Sequence, residues 1–222
     1  MRRAGPAFLV NLLHFIVLSL LDFFFRVLNR VEVLGRENIP SRGERGVLIL
    51  SNHISALDPL LIGITAMPRF SPVWFRAAAK EELFTHIFSR AVVSVIGAFP
   101  VKRGQHDLDS MSRMVEVLKT DVLVVFPEGT WSETGELLPG RPGVGKVIHD
   151  ARPAKIIPVA VKGTDRILPR DAWIPRVGRR AGIIYGPPMD LSRFYDQLDS
   201  VETSQRIVEA VMTEIGRLRA LL

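Results

Sequence analysis

The sequence predicts an α/β fold in which helices flank a central, mostly parallel or mixed β-sheet, with a membrane-associated helix at the N-terminus. Short apolar runs that are typical of buried strands alternate with stretches of helical periodicity. A long apolar segment opens the chain. The 222 residues are 47% hydrophobic, so one domain with a sizeable core is expected.

The opening segment, residues 6–28, is apolar and follows Arg2 and Arg3. We predict that residues 1–30 form a membrane-associated helix ahead of a main domain at 31–222. Five polar residues recur close to a helical period and would form one stripe: Asn11, His14, Asp22, Arg26 and Asn29. Such a stripe favours a helix that lies in the membrane interface, or one that packs against the domain with its apolar side in lipid.

Three alternatives for this segment remain: a membrane-spanning helix, a cleaved signal peptide and an ordinary buried helix. Its length allows a span, but a charge at the bilayer centre would cost about 3 kcal/mol. No small-residue cleavage site follows at 29–32. The two N-terminal arginines favour a cytoplasmic N-terminus, so we expect the protein at the cytoplasmic face of the inner (plasma) membrane.

The charge balance points to an anionic partner. The net charge is +6 and the sequence pI is about 10.1. Nucleic acid, an anionic membrane surface and a phosphorylated substrate all fit such a balance, and the apolar content favours the membrane. The absence of cysteine excludes disulfides, thiolate metal sites and a cysteine nucleophile.

The remaining elements follow from periodicity and breaker residues. Strands are predicted at 47–50, 73–79, 121–126, 156–161 and 181–185. Helices are predicted at 60–67, from 80 onward, at 107–118 (capped by Asp107 or Asp109), at 145–151 and at 201–222. Polar or irregular connections are expected at 32–46, 100–104, 127–144 and 165–178.

A histidine and an aspartate stand just after the first of these strands, within Ser-Asn-His-Ile-Ser-Ala-Leu-Asp (51–58). In one continuous helix, His53 and Asp58 would point about 140° apart. If His53 instead lies in a turn and Asp58 opens the following helix, the carboxylate can hold one imidazole nitrogen and leave the other free as a base. A histidine bonded only to backbone is the alternative.

Three further blocks place polar groups near strand ends. Gly-Ala-Phe-Pro-Val-Lys-Arg (97–103) puts two cations after an apolar segment. Phe-Pro-Glu-Gly-Thr (126–130) supplies a carboxylate, a glycine and a hydroxyl directly after a buried strand. Ile-Pro-Val-Ala-Val-Lys-Gly-Thr (157–164) is a further strand that ends in a loop. Open α/β sheets bind ligands at such strand ends.

These four blocks, in this order, resemble the glycerolipid acyltransferase family, whose members make phosphatidic acid from lysophosphatidic acid. They match the family's Asn-His-x4-Asp motif, its Gly-x5-Arg region, its Phe-Pro-Glu-Gly-Thr motif and its proline-containing strand. Residues 79–83 also look like the family's Lys-x-Glu-Leu segment. The resemblance covers about residues 31–190, which would make 31–222 an acyltransferase domain. One departure is Trp131, where the family usually has arginine.

The resemblance implies an enzyme that moves a fatty acyl chain from a thioester, acyl-CoA or acyl carrier protein, to the free hydroxyl of lysophosphatidic acid. His53 would be the general base and Asp58 its orienting partner. Membrane lipid, a lysophospholipid acceptor and the thioester donor are the expected partners. No metal and no cofactor beyond the co-substrate are implied.

The same resemblance implies the substrate-binding residues. Arg103 is the first choice for the substrate phosphate, because a guanidinium binds phosphate bidentately. Lys80 and Lys102 are weaker choices, since lysines are mostly solvated surface residues. Glu128 would orient a glycerol hydroxyl or pair with Arg103. Backbone or hydroxyl donors for the phosphate would come from Gly129 and Thr130.

Other functions remain as alternatives. Trp131 leaves room for a different lysolipid acceptor, and a non-catalytic membrane lipid-binding protein of the same fold is the rival of another class. Residues 140–146 fit the Gly-x4-Gly-Lys pattern of nucleotide hydrolases, but Val147 stands where a magnesium-binding Ser or Thr is needed. No basic run interleaved with aromatics predicts nucleic-acid binding. The sequence predicts no oligomeric state.

Overall fold

The computed structural model describes residues 6–66, 75–85, 97–101 and 108–222. Its strands are β1 Arg30–Leu34, β2 Val47–Ser51, β3 Phe75–Lys80, β4 Ala98–Val101, β5 Val122–Val125, β6 Lys155–Lys162 and β7 Arg180–Tyr185. Its α-helices are α1 Pro6–Phe23, α2 Asp58–Ala66, α3 Leu108–Thr120, α4 Pro142–Ala151, α5 Thr164–Ile167 and α6 Val201–Arg219. A π-helical segment, Phe24–Leu28, continues α1, and 3₁₀ turns lie at Arg36–Asn38, Glu81–Phe84 and Ser192–Phe194.

In this part of the chain, seven strands form one sheet in the order β1-β7-β6-β2-β5-β3-β4. Among them, only β6 and β7 pair antiparallel. The predicted α/β fold with a mostly parallel, mixed sheet is therefore confirmed.

Each face of the sheet has its own hydrophobic core. The central strand β2 is apolar throughout because both of its faces are buried. Val47 and Ile49 face one core, and Leu48 and Leu50 face the other. The first core also holds residues of α1 and α2, whereas the second holds residues of α3, α4 and α6. Burying each such side chain contributes about 1.5–3 kcal/mol.

Two edge strands were not predicted. β1 overlaps the segment that was expected to be a polar lead-in from residue 32. Among the described strands it pairs only with β7, at the edge of the sheet. Its sequence therefore looks polar, since Arg30 and Glu32 are exposed. β4 includes Pro100, which was expected in a loop, and proline is tolerated at the edge of a sheet.

Helix boundaries also differ from the predictions. α4 begins at Pro142 rather than 145, because proline suits the first turn of a helix. Residues 81–84 form a 3₁₀ turn where the start of a longer helix was expected, and a single helical turn, α5, opens the segment predicted as irregular. Asp109 lies inside the first turn of α3 rather than at its cap, and Asp107 lies outside the described residues.

The predicted N-terminal helix is present as α1, but the predicted polar stripe is only partly observed. Asp22 accepts a hydrogen bond from Nε of Arg26 at 2.6 Å. Asn29 instead is fully buried, where its amide donates to the carbonyl of Phe24 and accepts the N–H of Arg179. The side chains of Asn11 and His14 lie outside the described residues. No helix in the described ranges is both long and apolar enough to cross a membrane.

Candidate functional site

The candidate site lies at the carboxyl edge of the sheet, where three neighbouring strands end together. β5, β2 and β6 are parallel neighbours, so their last residues meet at one edge. Residues that follow these three ends are His53, Glu128 and Thr164. The sequence alone placed the first two after strand ends, and the topology brings all three to the same side of the sheet.

His53 and Asp58 form a hydrogen-bonded pair. Nδ1 of His53 lies 2.9 Å from Oδ2 of Asp58, with His53 in the turn after β2 and Asp58 at the first position of α2. This is the geometry that the spacing required. No described residue bonds Nε2 of His53, and the imidazole is 13% exposed, so that nitrogen is available to a ligand.

Four donors surround the Asp58 carboxylate, which is completely buried. Oδ2 accepts the backbone N–H groups of Ile54 at 2.7 Å and Ser55 at 2.8 Å, besides the imidazole. Oδ1 accepts the hydroxyl of Thr164 at 2.5 Å. Because Oδ2 already accepts two N–H bonds, we assign the proton of the shared bond to Nδ1 of His53, which leaves a lone pair on Nε2.

Aromatic rings fix the plane of the imidazole. The His53 ring stacks on Phe126, with centroids 4.1 Å apart and planes 20° apart. Trp131 lies across it at 5.9 Å, tilted by 57°. The backbone carbonyl of His53 accepts the N–H of Ser132 at 2.7 Å, which ties the histidine turn to the segment after β5. The imidazole is thus held in one orientation by its surroundings.

Asn52 anchors the histidine turn to the neighbouring strand. Its buried side-chain amide donates to the carbonyl of Val161 at 2.9 Å and accepts the N–H of the same residue at 2.8 Å. The side chain therefore takes the place of one pair of backbone hydrogen bonds, just beyond the end of β2. A side chain without both a donor and an acceptor cannot do this.

Glu128 lies beside the pair and is almost fully buried, with 2% of its surface exposed. Its Oε2 accepts the backbone N–H of His53 at 3.4 Å, and no described residue forms a hydrogen bond with its Oε1. Burial raises the pKa of the Glu128 carboxyl to about 7, despite opposing effects from the amides of His53 and Leu138. The N–H of Leu138 lowers this pKa through its partial positive charge, although it is not placed to form a hydrogen bond with the carboxyl. A buried carboxyl oxygen that no described residue bonds, next to an imidazole, is available to a hydroxyl donor.

A tight turn presents the residues after Glu128. The N–H of Gly129 bonds the carbonyl of Phe126 at 3.0 Å, and Gly129 has a φ of +68° that disfavours other residues. A Cβ there would also lie 2.7 Å from the side chain of Arg141. Thr130 is half-buried directly after this turn.

Two cations that the sequence did not single out for the head group lie close to this turn. Nε of Arg141 donates to the carbonyl of Glu128 at 3.2 Å, so its guanidinium lies along the Phe-Pro-Glu-Gly-Thr segment. The guanidinium of Arg170 lies 5.9 Å from the centre of the Trp131 ring and also pairs with Glu133. Trp131 therefore has a cation over its face, although the motif itself has lost one.

The predicted basic residues have different outcomes. Lys80 ends β3, but its side chain lies outside the described residues, as do Lys102 and Arg103 entirely. Lys146, the lysine of the Gly-x4-Gly-Lys pattern, is paired with Asp150 and Asp199 at 2.7 and 2.8 Å. Those two carboxylates raise the pKa of Lys146.

Sequence reasoning gave no role to Asn52 or Thr164. Asn52 belongs to the first motif block and Thr164 to the fourth, and each follows a strand that ends at this edge. The rule that strand ends carry polar function would have flagged Thr164. Its partner Asp58, however, is 106 residues away and is identified only by the sheet order.

Comparison with known proteins agrees with this geometry. A family model described as Acyltransferase matches residues 30–162. The chain belongs to the acyltransferase family. The match contains both His53 and Asp58 and the turn at Glu128, and it ends just before Thr164.

Curated relatives carry more specific names. The chain is 28% identical over 134 residues to a 1-acyl-sn-glycerol-3-phosphate acyltransferase of Bacillus subtilis, covering 60% of this chain and 63% of that protein. It is 31% identical over 146 residues to the enzyme of that name from Saccharomyces cerevisiae, covering 62% and 45%. The chain thus matches less than two thirds of the length of either relative.

A solved structure shares the fold. The 1-acyl-sn-glycerophosphate (LPA) acyltransferase PlsC of Thermotoga maritima superposes with a TM-score of 0.67 at 20% identity. The superposition covers 96% of this chain and 87% of PlsC. This acyltransferase chain therefore has the PlsC-like α/β architecture throughout almost all of its length.

Proposed function

We propose that this chain transfers a fatty acyl group from a thioester, acyl-CoA or acyl carrier protein, to the free hydroxyl of lysophosphatidic acid, which gives phosphatidic acid. The observation that carries the proposal is the His53–Asp58 pair, with Nδ1 bound at 2.9 Å and Nε2 unbonded by the described residues. The names of the curated relatives support the acceptor.

In the proposed reaction, Nε2 of His53 takes the proton of the acceptor hydroxyl while the oxygen attacks the thioester carbon. Collapse of the tetrahedral intermediate breaks the carbon–sulfur bond, and the thiolate leaves with the proton from His53. Asp58 stabilises the imidazolium that forms between these steps. Substrate supplies the nucleophile, so no covalent acyl-enzyme is required.

Glu128 receives the acceptor in this proposal. Its unpaired Oε1 accepts a second hydroxyl of the glycerol or the reacting hydroxyl itself, since it lies on the same turn that contacts His53. Gly129 and Thr130 offer donors to the phosphate, as the family motif implies. Arg103 stays our first choice for the phosphate, with Lys80 and Lys102 behind it and Arg141 added by its position along the turn.

The test is an acyl-transfer assay with purified protein in mixed micelles. Radiolabelled acyl-CoA or acyl carrier protein is supplied with lysophosphatidic acid, with other lysophospholipids, or with an uncharged monoacylglycerol. We expect labelled phosphatidic acid as the main product. Efficient transfer only to a different lysolipid would identify that acceptor instead, and no transfer to any acceptor would favour a non-catalytic lipid-binding protein.

The phosphate contact is tested in the same assay. Arg103→Ala should raise KM for lysophosphatidic acid at least tenfold more than for monoacylglycerol, because a charged hydrogen bond of about 1.5–3 kcal/mol is lost only with the phosphate. Lys119→Ala, which removes an exposed cation of α3 paired with Glu116, is the matched control. Equal effects on both acceptors would remove Arg103 from this role.

We further propose that the protein acts at the cytoplasmic face of the membrane, with α1 in the interface. The phospholipid acceptors of the named relatives and the apolar composition of α1 support this placement.

A further inference from the structure

An exposed apolar stripe runs along the N-terminal helix and its π-helical continuation. The stripe consists of Leu12, Ile16, Leu20, Phe23 and Val27, which are 43–64% exposed. Their spacing of four, four, three and four residues places them on one helical face. The opposite face packs on the first core through Leu18, Leu21 and Phe25.

The most exposed large apolar side chain among the described residues, Trp173, lies far away in sequence, in the loop at 169–179. Trp173 is 98% exposed, Ile174 is 80% exposed and Val177 is 60% exposed. Burial of a tryptophan removes about 150–250 Å² of surface from water. A soluble surface gains nothing from leaving three such side chains in water within five positions.

Backbone hydrogen bonds fasten this loop to the end of the N-terminal helix. The N–H of Gly178 bonds the carbonyl of Leu28 at 2.7 Å. The N–H of Arg179 bonds Oδ1 of buried Asn29 at 3.0 Å, and the N–H of Arg30 bonds the carbonyl of Arg179 at 2.8 Å. The end of the loop, next to Val177, is therefore bonded to the chain beside exposed Val27 and Leu28, so the loop and the end of the helix lie side by side.

A basic hollow adjoins the end of the helix. Its volume is about 640 Å³, and its charged lining consists of Arg26, Arg30, Glu32, Lys162, Arg166 and Arg180. Five cations face one anion in this lining, and one of the five, Arg26, is also paired with Asp22, so the hollow is net positive. Cations beside an exposed apolar surface match the chemistry of an anionic bilayer, in which phosphates lie above acyl chains.

The other end of the loop reaches the candidate active site. The carbonyl of Leu168 accepts the hydroxyl of Ser55 at 3.0 Å, and Ser55 is one of the residues that bind Asp58. Arg170, two residues later, lies over Trp131 beside His53. The loop thus connects the catalytic turn to the apolar surface.

We propose that the loop at 169–179 is a second bilayer-docking element, which inserts Trp173 and Ile174 into an anionic lipid surface together with the α1 stripe. The basic hollow binds lipid phosphates beside it. Docking through both elements places the carboxyl edge of the sheet, and His53 with it, against the membrane. The inference deepens the proposed function, which requires a lipid acceptor, but binding is measured here without turnover.

The experiment is vesicle flotation with the full chain. Vesicles of phosphatidylcholine with about one third phosphatidylglycerol are compared with phosphatidylcholine alone. The double variant W173S/I174S should bind the mixed vesicles about tenfold or more weakly than wild type, because most of the loop's apolar area is lost. Leu198→Ser is the control, since Leu198 is 81% exposed and neighbours α4 and α6 on the opposite face of the sheet.

A second pair of variants tests the charge. Arg166→Gln and Arg180→Gln should each weaken binding to the mixed vesicles about fivefold, with little change on pure phosphatidylcholine. Brominated lipid should quench tryptophan emission more in wild type than in Trp173→Phe. The charge result supports the binding of lipid phosphates at the hollow, and the quenching result supports insertion of the loop.

Contrary results are equally specific. Binding of W173S/I174S at wild-type strength, or an equal loss with Leu198→Ser, would overturn the docking role of the loop. So would the absence of vesicle binding by wild-type protein. None of these outcomes affects acyl transfer to micellar acceptors, so a failure here is distinct from a failure of the proposed reaction.

Discussion

At the scale of single residues, Asp58 is held more firmly than any other group of the site. It is fully buried and accepts hydrogen bonds from His53, Ile54, Ser55 and Thr164. The turn between His53 and Asp58 supplies three of these donors, so the sequence spacing was sufficient to predict the pair. The fourth donor could not be predicted, because it depends on β6 lying next to β2.

Thr164 is a positioning residue in this account. Thr164→Val should lower the free energy of unfolding by about 1–3 kcal/mol, since it leaves one oxygen of a buried carboxylate without its partner. We expect kcat to fall about tenfold and KM to change less, because His53 is then oriented less firmly. Thr164→Ser keeps the hydroxyl and should restore both values. Loss of stability without loss of kcat in the valine variant would make Thr164 purely structural.

Glu128 should make stability depend on pH. Its pKa is raised from 4.5 to about 7 in the folded protein, so the folded state keeps a proton that the unfolded state releases between these values. The free energy of unfolding should therefore fall as pH rises through this window, by up to about 3 kcal/mol.

Urea unfolding at about pH 5 and about pH 8 measures this effect. Glu128→Gln cannot titrate and should lack this share of the pH dependence. Glu116→Gln, which changes an exposed carboxylate of α3, should retain it. An identical pH dependence in wild type and Glu128→Gln would show that Glu128 is not perturbed.

At the scale of elements, strongly patterned segments were predicted and edge segments were not. The buried strands β2, β5 and β6 have uninterrupted apolar runs, and α3 and α6 have clear helical periodicity, so their positions followed from the sequence. The edge strands β1 and β4 have short, half-exposed patterns that resemble loops. Their partners, not their own residues, determine that they are strands.

Helix packing accounts for the glycine-rich stretch before Lys146. Its pattern resembles a phosphate loop, yet residues 142–151 form helix α4. Gly145 faces α6 so closely that a Cβ would lie 1.9 Å from the carbonyl oxygen of Ser204. The glycine therefore serves helix–helix contact rather than nucleotide binding.

Gly145→Ala should accordingly lower the free energy of unfolding by about 3 kcal/mol, because the clash is with backbone and the helices must separate. Gly143→Ala is the matched control, since its Cβ would lie 3.5 Å from the sulfur of Met111 and the substitution favours the helix. Thermal unfolding of both variants measures the difference. Similar stability of the two variants would contradict the close packing of α4 on α6.

At the scale of the whole molecule, the two faces of the sheet differ in what they present to solvent. The face with α3, α4 and α6 is covered by amphipathic helices, whereas the face with α1 exposes an apolar stripe. The basic hollow lies where β6 ends and β1 and β7 begin. The edge of the sheet that carries His53 lies between the two faces, next to the loop at 169–179. Net charge and hydrophobic content predicted an anionic membrane surface as the partner. Only the fold shows where exposed apolar side chains and cations come together.

The central claim is that His53 is the base of an acyl transfer. The most direct measurement compares the rate of phosphatidic acid formation by wild type, His53→Ala and the control His149→Ala. His149 lies in α4, on the face of the sheet opposite to α1, where its ring bonds the carbonyl of Gln197. We predict that His53→Ala loses about 10²–10⁴-fold in kcat with little change in KM or thermal stability, while the control keeps its rate. Transfer by His53→Ala at the wild-type rate would contradict the account.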